Sequence, residues 1–233
     1  MSNARSLLWM MFGIGLLLLI SIGGHWWHKV WFVPIEVVTL KDKLQYVAPD
    51  LIKAAVTEEV RRGFFGLRIA EVRDKLLQVP WVAEAQVQRK WPHTLQLKIT
   101  ERQPLAIWDG RGVIDTEGNL FFPPELGNVH DVAEFSGDKA HVDAMVDTYL
   151  LILAKIKPIG LAVKRLSIMP DHGWHAMLDN GVYIILGQAE LEERLTRFVL
   201  AYNDPKAGIR NARAQVVDLR YTNGIAVGEY NGK

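Results

Sequence analysis

A chain of 233 residues, 49% hydrophobic and 23% charged, suits a globular protein of one or two domains. It contains no cysteine, which excludes disulfides and thiolate metal sites. Of its 27 basic residues only Arg5 precedes Lys29, so the rest of the chain balances its 26 acids and has no excess charge for gripping nucleic acid.

Leu7 to Gly24 (LLWMMFGIGLLLLISIGG) carries no charge. As a helix it spans about 27 Å, enough for a bilayer core. A cleaved signal peptide would have a shorter apolar run and a small-residue cleavage site, whereas SIGGHWWH is bulky. A buried soluble helix would present a polar face. The expectation is a transmembrane helix over 6–24, after a cytoplasmic tail of residues 1–5. Trp26, Trp27 and Trp31, in a linker over 25–34, fall where an interfacial aromatic belt would sit. The amine and Arg5 oppose Lys29, Lys41 and Lys43, so the positive-inside bias does not set the orientation. The short leader is the end expected to stay cytoplasmic.

After Pro34, IEVVTLKDKLQYV has the β-branched content of a strand. Pro49-Asp50 opens a helix with Ile52, Val56 and Val60 in one stripe, ended by Gly63. Glu58 and Glu59 are expected on its solvent side. A second amphipathic helix places Ile69, Val72 and Leu76 together and stops at Pro80. Ala83, Ala85 and Val87 then alternate with polar residues, Pro92-His93 turns the chain, and Leu95, Leu97 and Ile99 alternate again. That is a hairpin with one buried face. The order strand, helix, helix, strand, strand is an α+β unit with two helices on one sheet face.

From Pro104 the predicted elements are short strands separated by turns at Asp109-Gly110 and Glu117-Gly118-Asn119. Residues 123–140 read as a loop. HVDAMVDTYLLILAKIK is helical, with Val142, Met145, Tyr149 and Ile152 on one face. Strands follow near 161–169, 174–178 and 182–187, then the helix ELEERLTRFVLAYN. The last structured stretch is VVDLRYTNGIAV, residues 216–227: a strand, a turn and a second short apolar run. A short chain-terminal strand is a candidate unpaired sheet edge, able to accept a partner strand through main-chain hydrogen bonds. Tyr221 and Arg220 are residue types enriched at interface hot spots. Two readings of them stand: Tyr221 packs on the domain while Arg220 pairs with an acid such as Asp218, or both face a partner.

Residues for chemistry are scarce. His25 and His28 have a metal-compatible spacing but sit beside three tryptophans at the membrane boundary. Asp171, His172 and His175 surround Gly173 and read as turn residues. Asp115 and Glu117 fall in a turn, and Glu190, Glu192 and Glu193 suit a helix start. Ser136 and Ser167 lack a nucleophile context, and DGRGVIDTEGN lacks phosphate-loop spacing. Arg89, Lys90 and Trp91 form one basic-aromatic cluster in a neutral domain, too little for nucleic acid. No enzyme reading, metal or cofactor follows.

The first α+β unit, with its Gly-Phe-Phe-Gly between helices and PWVAEAQVQRKWPHTLQLKITERQPLAIW, resembles a POTRA domain. With DTEGN, RLTRFVLAY at 194–202 and VDLRYTNGIAV, nearly the whole chain resembles the FtsQ/DivIB family of bacterial cell-division proteins. The resemblance implies a POTRA domain over 35–103, then a mainly antiparallel β domain with flanking helices over 104–233. It implies a non-catalytic inner-membrane scaffold of the divisome, with its bulk in the periplasm at the septum. Its implied partners are FtsB and FtsL, with a link from early components such as FtsK to late septal synthesis proteins. Carried onto RYTNGIAV, the family's FtsB-binding surface nominates Arg220, Tyr221, Asn223, Gly224 and Val227. The POTRA recruitment surface nominates Glu84, Val87 and Arg89. Asn223 stands where Ser is common, and GEYNGK after Val227 is shorter than in some relatives. The alternative, a POTRA-type receptor for envelope assembly or secretion, would need repeated POTRA units or an outer-membrane barrel.

Overall fold

The computed structural model describes residues 13–21, 34–35, 37–40, 43–170, 172–211 and 215–229. Trp26, Trp27, Trp31, His25, His28, Asp171 and the remainder of the 6–24 apolar segment lie outside these. The chain forms two compact units, Met1–Glu101 and Arg102–Lys233.

In the first unit, residues 13–21 are helical (α1). Leu17 and Leu19 there are 68% and 70% exposed. Among the described residues, no helix is long and apolar enough to cross a membrane. The other elements are β1 (Val37–Leu40), α2 (Pro49–Val60), α3 (Gly63–Gly66), α4 (Ile69–Leu77), β2 (Val82–Lys90) and β3 (Thr94–Glu101). Pro49 opens α2 from the first turn, where its missing N–H costs nothing. The three strands order as β1-β3-β2, with β1 parallel to β3 and β2 antiparallel to it. Leu95, Leu97 and Ile99 of β3 are buried with Val82, Ala85, Ile52, Val56, Val72 and Leu76. This is the predicted hairpin with one face inside.

Beyond β1, the Glu101 carboxylate accepts hydrogen bonds from the backbone N–H groups of Gln45, Tyr46 and Val47 at 2.8, 2.8 and 2.7 Å, just before the chain enters α2. One expectation in this unit is corrected. Glu59, expected in solvent, is 1% exposed. It lies on the Ile52–Val56 stripe against α4, 3.4 Å from Arg62 and 3.5 Å from Lys75.

The second unit contains β4 (Pro104–Trp108), β5 (Gly112–Asp115), β6 (Leu120–Phe121), β7 (Ala133–Ser136), α5 (Val142–Ile156), β8 (Val163–Met169), β9 (Gly173–Leu178), β10 (Tyr183–Gly187), α6 (Leu191–Asn203), β11 (Gln215–Asp218) and β12 (Ala226–Glu229). These strands form one nine-stranded sheet, ordered β12-β11-β10-β9-β8-β7-β4-β5-β6. The sheet is mainly antiparallel, as expected, with five antiparallel pairs and three parallel ones. β4 with β7, β7 with β8 and β10 with β11 run parallel. For two of these pairs the reason is a helix between the strands: α5 connects β7 to β8 and α6 connects β10 to β11, and such crossovers return the chain in the same direction; β4 reaches β7 through β5, β6 and a loop. Both helices pack on the sheet and on each other. Met145, Ile152, Ile156, Leu195 and Phe198 are buried there against Phe135, Leu166, Ala176, Ile184 and Val217.

The expected loop over 123–140 holds a strand, β7, whose Ala133 and Phe135 point inward while Glu134 and Ser136 are exposed. Four residues give too little alternation to stand out from a polar stretch. Two residues read as turn residues are instead buried. Asp115 closes the β5–β6 turn from inside, accepting from Arg102 at 2.6 Å and from the backbone N–H groups of Glu117 and Asn119 at 3.0 and 2.8 Å. His175 sits within β9, 6% exposed, with its Nδ1 2.6 Å from the Tyr183 hydroxyl.

Candidate partner-binding edge

β12 closes one end of the nine-stranded sheet and pairs with β11 alone. Its register is antiparallel: Val216 opposite Gly228, Val217 opposite Val227, Asp218 opposite Ala226. All four β12 residues are exposed. The strand therefore carries main-chain donors and acceptors on its outer side that no other described strand takes, the usual template for strand addition.

The segment joining β11 to β12 carries most of the nominated residues. Tyr221 is 59% exposed and Val227 42% exposed, and Asn223 is exposed as well. Gly224 is half-buried, has no left-handed φ, and a methyl group added there would meet nothing within 4 Å. The turn thus needs no glycine for backbone reasons. Tyr221 does not pack on its own domain, contrary to the first of the two readings.

Arg220 follows that first reading. Its side chain returns along the strand to Asp218, with Nη2 2.7 Å from Oδ2 and Nε 3.0 Å from Oδ1. The two residues share a strand face because side chains repeat every second position. The Arg220 hydrogen bonds, outweighing partial burial, hold the Asp218 carboxyl below the ordinary carboxylate value. Arg220 therefore reaches this edge with its charge already matched.

A contributor that motif reading passed over is Arg197 on α6. Its Nη2 donates to the backbone carbonyls of Leu219 at 3.3 Å and Tyr221 at 3.0 Å. It fastens the exit of β11 to the helix and so fixes where Tyr221 emerges. One turn further on the same helix face, Leu200 is 68% exposed, adding apolar surface to that side. Arg194, one turn earlier, donates to the Leu186 carbonyl at 2.6 Å. Gly187 lies beneath it at φ 76°, where a methyl group would collide with the Arg194 guanidinium and crowd Arg220. Both arginines belong to RLTRFVLAY, a stretch visible in the sequence, but their targets are carbonyls and leave no residue pattern.

The nominated residues of the first unit lie on β2, the outer strand of its sheet. Alternation divides them. Val87 and Arg89 share the face of buried Ala85, and Arg89 donates to the Leu67 carbonyl at 2.9 Å. Glu84 points to the opposite face with Gln86 and Gln88. They share a strand edge that no other described strand pairs with, and Glu84 and Val87, though not Arg89, line a shallow groove beside α4 with Ile69, Arg73 and Leu77; they do not form one side-chain patch.

Among the described residues, no group of three or more His, Asp or Glu could hold a metal ion. His172 and His175 have ring centroids 6.4 Å apart, and burial together with His172 pushes His175 below the ordinary histidine value. The arrangement offers an edge and an exposed aromatic rather than converging reactive groups.

Comparison with known proteins matches both units. Residues 33–102 match the family profile of the FtsQ-type POTRA domain, and residues 106–220 match that of the C-terminal part of the cell division protein FtsQ/DivIB. The chain is 32% identical to the cell division protein FtsQ of Shewanella oneidensis over 224 residues, covering 93% of this chain and 85% of the relative. It is 31% identical to FtsQ of Xanthomonas campestris, covering 83% and 69%, and 28% identical to FtsQ of Vibrio cholerae, covering 91% and 84%.

Proposed function

This chain belongs to the FtsQ/DivIB family of cell division proteins, and we propose that within the divisome it is a non-catalytic scaffold whose C-terminal sheet edge captures a strand of FtsB. The supporting observation is β12 itself, a terminal strand with every residue exposed beside an exposed tyrosine. A partner strand laid along it would take up the outer main-chain groups. Tyr221 and Val227 would supply apolar contact, while Asn223 and Gly224 would leave room at the turn. Arg220 would hold the edge in shape through Asp218.

In this reading the apolar segment at 6–24 anchors the chain in the inner membrane, the tail 1–5 stays in the cytoplasm, and the two units (35–103 and 104–233) work in the periplasm at the septum. FtsL would join through the same complex. The β2 edge of the POTRA unit, with Glu84, Val87 and Arg89, would serve recruitment and the link from FtsK to the late septal synthesis proteins. The exposed apolar helix at 13–21 supports the anchor. Co-purification of FtsB with the full chain from membranes tests the reading. Val227→Lys and Tyr221→Ala should each lose FtsB, and retention of FtsB by both variants would refute the assigned edge.

A further inference from the structure

The hairpin between β2 and β3 ends in Trp91, which is 81% exposed, the highest value for any large hydrophobic side chain among the described residues. Tryptophan buries more apolar area than any other residue and is rarely left so open. Its surroundings are basic. Gln88 to Thr94 reads QRKWPHT, with Arg89 and Lys90 and no acid, and both cations are exposed. Arg89 is partly engaged with the Leu67 carbonyl, and Lys90 immediately precedes Trp91 at the end of β2.

Strand register places this tip at one particular end of the unit. Val37 lies opposite Thr94, and Thr94 opposite Lys90, so the three residues form one row across the sheet. Val37 is where the chain coming from the apolar N-terminal segment enters the sheet. Because β1 runs parallel to β3, the hairpin tip stands at that entry end, beyond the row. With the anchor proposed above in the bilayer, the chain enters the sheet from its anchored side at the end carrying Trp91 and Lys90. The opposite end, where Val82 pairs with Glu101, lies about 26 Å further along the strands.

We propose that the β2–β3 hairpin tip is a lipid-surface contact, with Trp91 seated among the headgroups and Lys90 against anionic lipid. An indole at the water–hydrocarbon boundary is its preferred location, and a neighbouring lysine adds attraction to an anionic leaflet. One tryptophan would bind a membrane weakly from free solution. Here the anchor makes the encounter intramolecular, at an effective concentration in the mM range for a short tether, so a weak contact suffices. The contact would set the tilt of the POTRA unit on the membrane and leave the β2 edge pointing along the surface normal.

The absence of cysteine gives a direct test. A fluorophore is placed at Gln88→Cys, about 10 Å along the hairpin from Trp91, or at Gln78→Cys near the far end as control. The full chain is reconstituted in phosphatidylcholine–phosphatidylglycerol vesicles containing a lipid with a nitroxide on its headgroup. The expected result is quenching at position 88 and not at 78, falling to the control level when Lys90→Ser and Trp91→Ser are added. Equal, weak quenching at both sites in chains that resist alkaline carbonate extraction would overturn the hairpin contact and leave the anchor standing. Extraction of the chain by carbonate would overturn both.

Discussion

Arg220 and Asp218 form a two-residue clasp along β11, four polar contacts between 2.7 and 3.1 Å that bind one strand face to itself. Asp218 is mostly covered and Arg220 about half exposed, so solvent screens part of the attraction. Arg220→Ala is expected to cost about 1 kcal/mol in urea unfolding. The folded carboxyl titrates below its unfolded value near 4, so the stabilisation is complete above that value and disappears as pH falls through the folded one. The difference between wild type and Arg220→Ala should therefore narrow in acid.

Tyr221→Ala separates binding from folding. With the ring largely in solvent, its removal should change unfolding free energy by no more than about 0.5 kcal/mol. Loss of an interface hot spot of this type costs about 2 kcal/mol, roughly thirtyfold in Kd for FtsB. Titration calorimetry beside denaturant unfolding reads the two quantities on one preparation. A weakened fold with unchanged affinity would move Tyr221 out of the interface.

Arg197→Ala frees two carbonyls beside the edge. Each is a hydrogen bond from a charged donor, and their loss should cost about 1–3 kcal/mol locally. Hydrogen exchange should quicken in β11 and β12 while the β8–β9 pair keeps its protection. FtsB affinity should fall with it, because the exit position of Tyr221 is no longer held. Uniformly faster exchange through the sheet would instead assign Arg197 to the core of the domain.

Glu59→Gln tests a buried carboxylate in the first unit. Burial alone would raise this group, but the charge of Arg62, a hydrogen bond with Glu71 and the charge of Lys75 together outweigh it and hold it below the ordinary value. Removing its charge leaves two cations without their buried partner, at a cost of about 1–3 kcal/mol near neutral pH. Because the folded value is depressed, that contribution is present above pH about 4.3 and is lost as pH falls through the folded value. Thermal unfolding at neutral and acidic pH should show the variant's deficit shrinking in acid.

Periodicity made the longer elements readable. The β2–β3 hairpin alternates over enough residues for its inner face to stand out, and α5 and α6 repeat at helical spacing over several turns. β7 has four residues and two inward side chains, which no pattern distinguishes from a loop. The segment at Gln45–Val47 is held by Glu101, more than fifty positions away, and Glu59 is buried by a helix that its own sequence does not name. The parallel strand pairs follow from which neighbours the crossover helices, or the β5–β6 excursion between β4 and β7, reach, a property of the assembled sheet. At the candidate edge, a short chain-terminal apolar run was enough to suggest a free strand, and the i, i+2 spacing of Asp218 and Arg220 allowed their pairing. Arg197 was not readable because its partners are backbone oxygens.

The two ends of the large sheet differ greatly in length. β12 offers four residues, whereas β6, at the far end, is the dipeptide Leu120–Phe121 and too short to template a strand. Among its described strands, the second unit consequently has a valence of one for strand exchange. Two copies meeting β12 to β12 would form a closed, two-fold pair with nothing left to extend, and one incoming strand from another protein would block even that. A molecule built this way can be used up by a partner but cannot seed a fibre through this sheet.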